Sequence, residues 1–191
     1  MLQIPATILP YPKPEYSNGS VAMTKPSWDL TRHKFLLTNN RVVFKCFMII
    51  VPDGIGEIAD PAFLQHTWDA FVAGSKTYST GTFSRVGHHM SPDLARNRAE
   101  ATIAMDKAQA KGANYIMLFL GKKSIPAYSA IKDLADRKYG MHSSCLVYKD
   151  RGFTLQYWGN LMMKVNLKTG GLNHTAAGVN DVLKDTLVLG A

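Results

Sequence analysis

The sequence predicts an α/β fold in which a parallel sheet carries helices on both faces. Two runs, "VVFKCFMIIV" (residues 42–51) and "NYIMLFL" (residues 114–120), are almost wholly apolar, as expected of strands covered on both sides. Segments with apolar residues at helical spacing stand between and after these runs. Strand and helix therefore alternate along the chain instead of clustering by type, the order that parallel strands joined by crossover helices require.

Residues 1–40 read as an extended strap. Pro5, Pro10, Pro12, Pro14 and Pro26 forbid a regular helix there, "YSNGS" is a turn, and Trp28 and Phe35 are candidates to anchor the strap on the body. Residues 41–171 hold the sheet and helices. After the first strand, Asp60 before Pro61 marks a helix start, with Phe63, Leu64, Trp68, Phe71 and Val72 on one face. "FSRVGHH" is a short strand. "SPDLARNRAEATIAMDKAQAKGA" is a helix capped by Ser91, with Pro92 in its first position and Gly112 past its end. The strand "NYIMLFL" runs into the loop Gly121–Ile125, then a helix from Pro126 that ends by Gly140. "SSCLVYK" is a third strand, and "TLQYWGNLMMKVNLKTGG" a last helix, buried along Leu155, Trp158, Leu161, Met162 and Val165. Residues 172–191 are polar and then strand-like in "TLVLG".

The chain of 191 residues suits one domain, and 46% apolar with 19% charged residues excludes a disordered chain. The net charge of +8 favours an anionic partner. That charge is concentrated: residues 121–171 hold nine Lys or Arg against three Asp, a net of +6. Cys46 and Cys145 sit in apolar runs as small buried thiols. With no CxxC or Cys/His ligand spacing, and no third ligand beside His88-His89, a metal site is not expected. No apolar run reaches membrane-spanning length and no signal pattern opens the chain, so a cytoplasmic protein without membrane contact is expected.

Two pairs carry the chemistry. Tyr128 and Lys132 are four apart and share a helix face, as do Lys164 and Lys168 near the end of the last helix. Tyr128 lies in the first turn of its helix, where free backbone N–H groups are expected to form an anion site with it and Lys132. Lys164 and Lys168 repel one another by about 0.2–0.5 kcal/mol at this spacing, and no acidic residue between Arg151 and Gly171 offsets them. A bound phosphate reverses that sign. In a parallel sheet ligands bind beyond the carboxyl ends of the strands, where the loop Gly121–Ile125 lies. "LGKKS" lacks the upstream glycine and register of a P-loop, no GxGxxG follows a strand, and no nucleophile–base–carboxylate set emerges, so no catalytic residue is assigned. The residues leave three readings: an anion-binding module, an α/β nucleotide hydrolase or transferase using the same loop, and a basic protein-interaction module whose charges are simply solvated.

The ordered segments "LPYPKPEY" (9–16), "WDLTRHKF" (28–35), "IPAYSAIK" (125–132), "YGMHSSC" (139–145) and "NLKTGGLN" (166–173) resemble the MID domain of a eukaryotic Argonaute, of fungal, quelling type by its divergence. The resemblance implies a Rossmann-like binding domain that anchors a 5′-phosphorylated small guide RNA in RNA silencing, without cofactor or catalysis. Tyr128 would stack on the first base and touch the phosphate. Lys132, Lys164 and Lys168 would hold the phosphate oxygens, and Ser144 and Cys145 would add a side-chain or backbone donor. Gly121, Lys122, Lys123, Ser124 and Ile125 would meet the edge of the first base. Residues 172–191 would lead toward a PIWI domain of the same parent chain, the chain ending before that domain's catalytic aspartate. Two departures stand out: Ser144 replaces a common glutamine, and "GKKSIP" is one residue longer than the common loop.

Overall fold

The structure is a computed structural model describing residues 11–23 and 27–178. Within the proline-rich start, Pro14–Tyr16 (β1) and Gly19–Ser20 (β2) pair around Ser17 and Asn18, the turn expected there. The body follows as Val43–Val51 (β3), Pro61–Tyr78 (α1), Thr82–Met90 (β4), Arg98–Ala110 (α2), Tyr115–Leu120 (β5) and Ile125–Asp133 (α3). A π-helical turn, Leu134–Tyr139, extends α3 and leads to His142–Val147 (β6) and Leu155–Lys168 (α4); Thr175–Ala176 (β7) comes last.

β3 to β6 form one sheet in the order β4-β3-β5-β6, with every pair parallel. The fold is the predicted one. All six residues of β5 are buried, and the pleat divides them between two cores. Tyr115, Met117 and Phe119 face the core built with α1 and α4 around Phe71, Trp158 and Met162. Ile116, Leu118 and Leu120 face the core built with α2 and α3 around Ala104, Met105 and Ile131. An apolar face at every position is what made β5 legible as a strand with helices on both sides.

Two boundaries differ from expectation. α2 starts at Arg98, where the Asn97 side chain accepts from the Ala99 N–H at 3.0 Å. Ser91, the expected cap, instead donates its N–H to the Ile50 carbonyl at 2.8 Å and its hydroxyl to Glu100, so it closes the end of the sheet. β4 spans nine residues, its register against β3 shifting between Cys46 and Phe47.

The described part of the strap lies on the α1/α4 side, with Tyr16, Leu30 and Phe35 in that core. Phe35 is buried and stacks on Tyr78 with ring centroids 5.0 Å apart, and the half-buried Trp28 donates its indole N–H to Tyr16 Oη at 2.8 Å. β1 also pairs with β7, and Leu37 bridges to Leu172, so the strap and the segment after α4 are stitched together. The expected strand "TLVLG" lies outside the described residues. Among the described residues no helix is long and apolar enough to cross a membrane, and no group of three or more His, Cys, Asp or Glu gathers for a metal.

Candidate anion-binding site

Among the described residues β6 is an edge strand, so half of its backbone polar groups have no neighbouring strand there. The His142 N–H goes to Asn114 and the Tyr148 N–H to Leu120, fixing even-numbered residues toward β5. By the period of two, Ser143 and Cys145 turn their N–H and C=O groups outward. The same alternation sends the Ser143 and Cys145 side chains to the α3 face and the Ser144 side chain to the α4 face.

The helices on the two faces reach past this edge and enclose a cavity of about 130 Å³ lined by Tyr128, Lys132, Ser143, Ser144, Cys145, Leu161, Lys164 and Lys168. From α3, Lys132 donates to Ser143 Oγ at 2.9 Å and pairs with Asp136 at 3.0 Å. From α4, Lys168 donates to the Ser143 carbonyl. Two ammonium groups from opposite faces of the sheet thus converge on one residue. Burial is the larger cause, and the Lys132 charge the next, that lowers the Lys168 pKa to about 8. Lys164 is exposed at the rim, with no carboxylate partner among the described residues. Burial pushes the Cys145 thiol up to about 11 against the opposing charge of Lys164, so at neutral pH the cavity holds a neutral thiol. Among the described residues Asp136 alone brings negative charge close, and it is 55% exposed.

The six residues expected around a phosphate, Tyr128, Lys132, Ser144, Cys145, Lys164 and Lys168, therefore line one cavity, built differently from the expectation. It stands on the edge of β6 and not on the first turn of α3. The Ala127 N–H of that turn is taken by Ser124 Oγ at 3.3 Å, and Lys132 sits at the far end of the helix. Ser144 and Cys145 lie in β6, as expected of "SSCLVYK", and the Ser144 hydroxyl bonds to the buried Tyr115. Ser143, which both lysines use, carried no signal in the sequence; its role comes from edge position and strand parity.

The loop Gly121–Ile125 divides. Gly121 is buried, its N–H donates to the Val51 carbonyl at 2.8 Å, and a Cβ there would stand 1.9 Å from the Pro52 carbonyl oxygen, so only glycine fits. Lys122 extends toward Gly54. Lys123, Ser124 and Ile125 instead join Leu120, Tyr128, Cys145 and Val147 around a mostly apolar hollow of about 280 Å³. The hollow and the cationic cavity share Tyr128 and Cys145, and Tyr128 is 44% exposed between them. A small, positively charged cavity thus adjoins a wider apolar one, with a phenol ring at the boundary.

Comparison with known proteins agrees with this architecture. A Piwi-domain family profile matches residues 115–191. No curated protein matches the chain. The fold is similar to that of Drosophila Piwi, at a TM-score of 0.62 and 16% identity over 88% of this chain and 23% of the Piwi chain. A. aeolicus Argonaute gives a TM-score of 0.57 and 13% identity over 86% of this chain and 23% of that one. The MID domain of Arabidopsis thaliana AGO5 gives a TM-score of 0.54 and 16% identity over 72% of this chain and 97% of the domain. The chain therefore spans about a quarter of the length of the full Piwi and Argonaute chains, and its sheet has the Rossmann-like MID fold.

Proposed function

We propose that this chain is the MID module of an Argonaute-family protein, a eukaryotic member of fungal type, and anchors the 5′-phosphorylated end of a small guide RNA in RNA silencing. The observation that carries the reading is the meeting of Lys132 and Lys168 on Ser143, with Lys164 at the rim of the same cavity. A terminal phosphate with nearly two negative charges at neutral pH matches that convergence. Beside it, Tyr128 stacks on the first base in the apolar hollow, while Lys123, Ser124 and Ile125 meet the base edge. The Cys145 N–H, directed outward from β6, gives the phosphate a backbone donor. Residues 1–40 act as the strap, 41–171 as the binding body, and 172–191 lead toward a PIWI domain of the same parent. The module binds without turnover, and needs no cofactor.

Titration with uridine 5′-monophosphate and with uridine tests the reading. The monophosphate binds more tightly, and Lys132→Ala or Lys168→Ala weakens it by about 1.5–3 kcal/mol, the worth of a hydrogen bond to a charged group, while the domain stays folded. Equal affinity for the two ligands would sink the reading.

A further inference from the structure

Tyr115 is the first residue of β5 and is fully buried, with the rings of Phe44, Phe71 and Phe83 around it at centroid distances of 5.2, 6.5 and 5.1 Å. A buried phenol in such surroundings needs a hydrogen-bond partner. Among the described residues its one partner is Ser144 Oγ, diagonally across the β5–β6 pair on the same face. Burial, the largest cause, raises the phenol pKa far above its ordinary value, so the phenol keeps its proton. Either hydroxyl could donate in this pair, but among the described residues the phenol proton has no other acceptor, so both groups are satisfied when Tyr115 donates and Ser144 Oγ accepts. A serine hydroxyl has one proton of its own to give. Ser144 is 6% exposed and lines the cationic cavity from the side on which α4 brings Leu161, Lys164 and Lys168. With its lone pair engaged by Tyr115, the Ser144 proton is directed away from the core, and the cavity lies on that side.

We propose that Tyr115 is a positioning residue: its phenol fixes the Ser144 hydroxyl as a hydrogen-bond donor to the phosphate held by Lys132 and Lys168. The proposal rests on the reading of the cavity as a phosphate site. It gives a buried core residue, remote from the ligand, a measurable part in recognition, and gives a short serine side chain the fixed direction that a free hydroxyl lacks.

A double-mutant cycle in the whole chain tests it, with uridine 5′-monophosphate and uridine as probes and thermal melting as the control for folding. Ser144→Ala lowers monophosphate affinity about tenfold, as loss of one hydrogen bond to a charged group predicts, and leaves uridine affinity unchanged. Tyr115→Phe removes only the buried hydroxyl and lowers monophosphate affinity about threefold. In the Ser144→Ala background Tyr115→Phe has no further effect on affinity, because the group it positions is gone. The double variant strands no hydroxyl in the core and so stays folded even where Ser144→Ala alone melts early. Ser144→Thr, which keeps the hydroxyl, retains most of the affinity. Changes confined to melting temperature, with monophosphate affinity equal to the parent's in both single variants, overturn the proposal. So does a Tyr115→Phe effect of the same size with and without Ser144. A parent chain that binds the two probes equally overturns the phosphate reading and this proposal together, whereas a discriminating parent with indifferent variants overturns only the role of Tyr115.

Discussion

Burial and a neighbouring ammonium pull Lys168 toward its neutral form, and a bound anion pulls it back. Its pKa is lowered to about 8, mainly by burial. The unfolded chain therefore binds more protons than the folded one between about pH 8 and the ordinary lysine range, and the stability of the free protein rises with pH across that window. Binding carries the opposite sign, because an anion at Ser143 favours charged Lys168. Affinity for a dianion is highest where Lys168 is protonated and falls as pH rises through about 8. Sulfate keeps its charge over this range and isolates the contribution of the protein. Titrations followed by chemical shift at pH 6.5 and 9.5 are expected to show affinity dropping by about tenfold, the size of one charge-assisted hydrogen bond. In Lys168→Met the drop flattens. A parent chain whose sulfate affinity is level across the range would place the titrating ammonium outside the site.

At the scale of elements, α3 passes into a π-helical turn, Leu134–Tyr139, which ends with the Met141 N–H donating to the Ala135 carbonyl at 2.9 Å. Such turns often occur at functional sites. Here the turn carries Asp136 one turn beyond Lys132, in the lysine-before-acid order that is the weaker of the two on a helix. Asp136 pairs with Lys132 in the free protein and, on the proposed phosphate reading, opposes the incoming dianion. Asp136→Asn is expected to tighten uridine 5′-monophosphate binding about two- to fivefold, consistent with ~0.5–1 kcal/mol for a pair in which Lys132 is 25% and Asp136 55% exposed. Lys132 keeps its bond to Ser143 Oγ, so the fold loses little. Weaker binding in this variant would show that Asp136 orients Lys132 and does not compete. This pairing also marks how far the sequence could be read. β5 was legible because burial on both faces leaves no polar position, and β3 because Lys45 alone interrupts its apolar run. α4 was legible from Trp158 to Val165, but Leu155, expected in the same buried stripe, is 76% exposed at the helix start. The start of α2 was not legible, since Ser91-Pro92 imitates a cap while Asn97 does the capping. The lysines were legible by type and spacing. Ser143 and Tyr115 were not, because their roles arise only when β6 becomes an edge and lies beside β5.

Over the whole molecule, the end of α4 joins the anion site to the closure of the chain. Lys168 points to Ser143, while Asn166, two residues earlier, is buried and donates to the Leu37 carbonyl at 3.0 Å and to Asn173 Oδ1 at 2.9 Å. Asn173 in turn donates to the Met163 carbonyl at 3.1 Å, and a Cβ on Gly171 would stand 2.1 Å from Asn166 Oδ1. The segment "NLKTGGLN" thus has two tasks: its lysine serves the cavity, and its asparagines and glycines lock strap, α4 and β7 together. Asn166→Ala leaves Asn173 Oδ1 without its donor, at about 1–3 kcal/mol if it stays buried, whereas the Leu37 carbonyl keeps the Leu172 N–H at 2.8 Å. The denaturant midpoint is expected to fall with an unchanged slope, the mark of lost stability and not of an altered unfolded state. Because the same helix end carries Lys168, the loosened turn is expected also to weaken uridine 5′-monophosphate binding, though Asn166 does not itself line the cavity. Ligand at a hundred times its dissociation constant stabilises by about 2.7 kcal/mol and should recover part of the lost midpoint. An Asn166→Ala variant that is less stable yet binds the monophosphate as the parent does would show that the closure and the anion site are energetically separate.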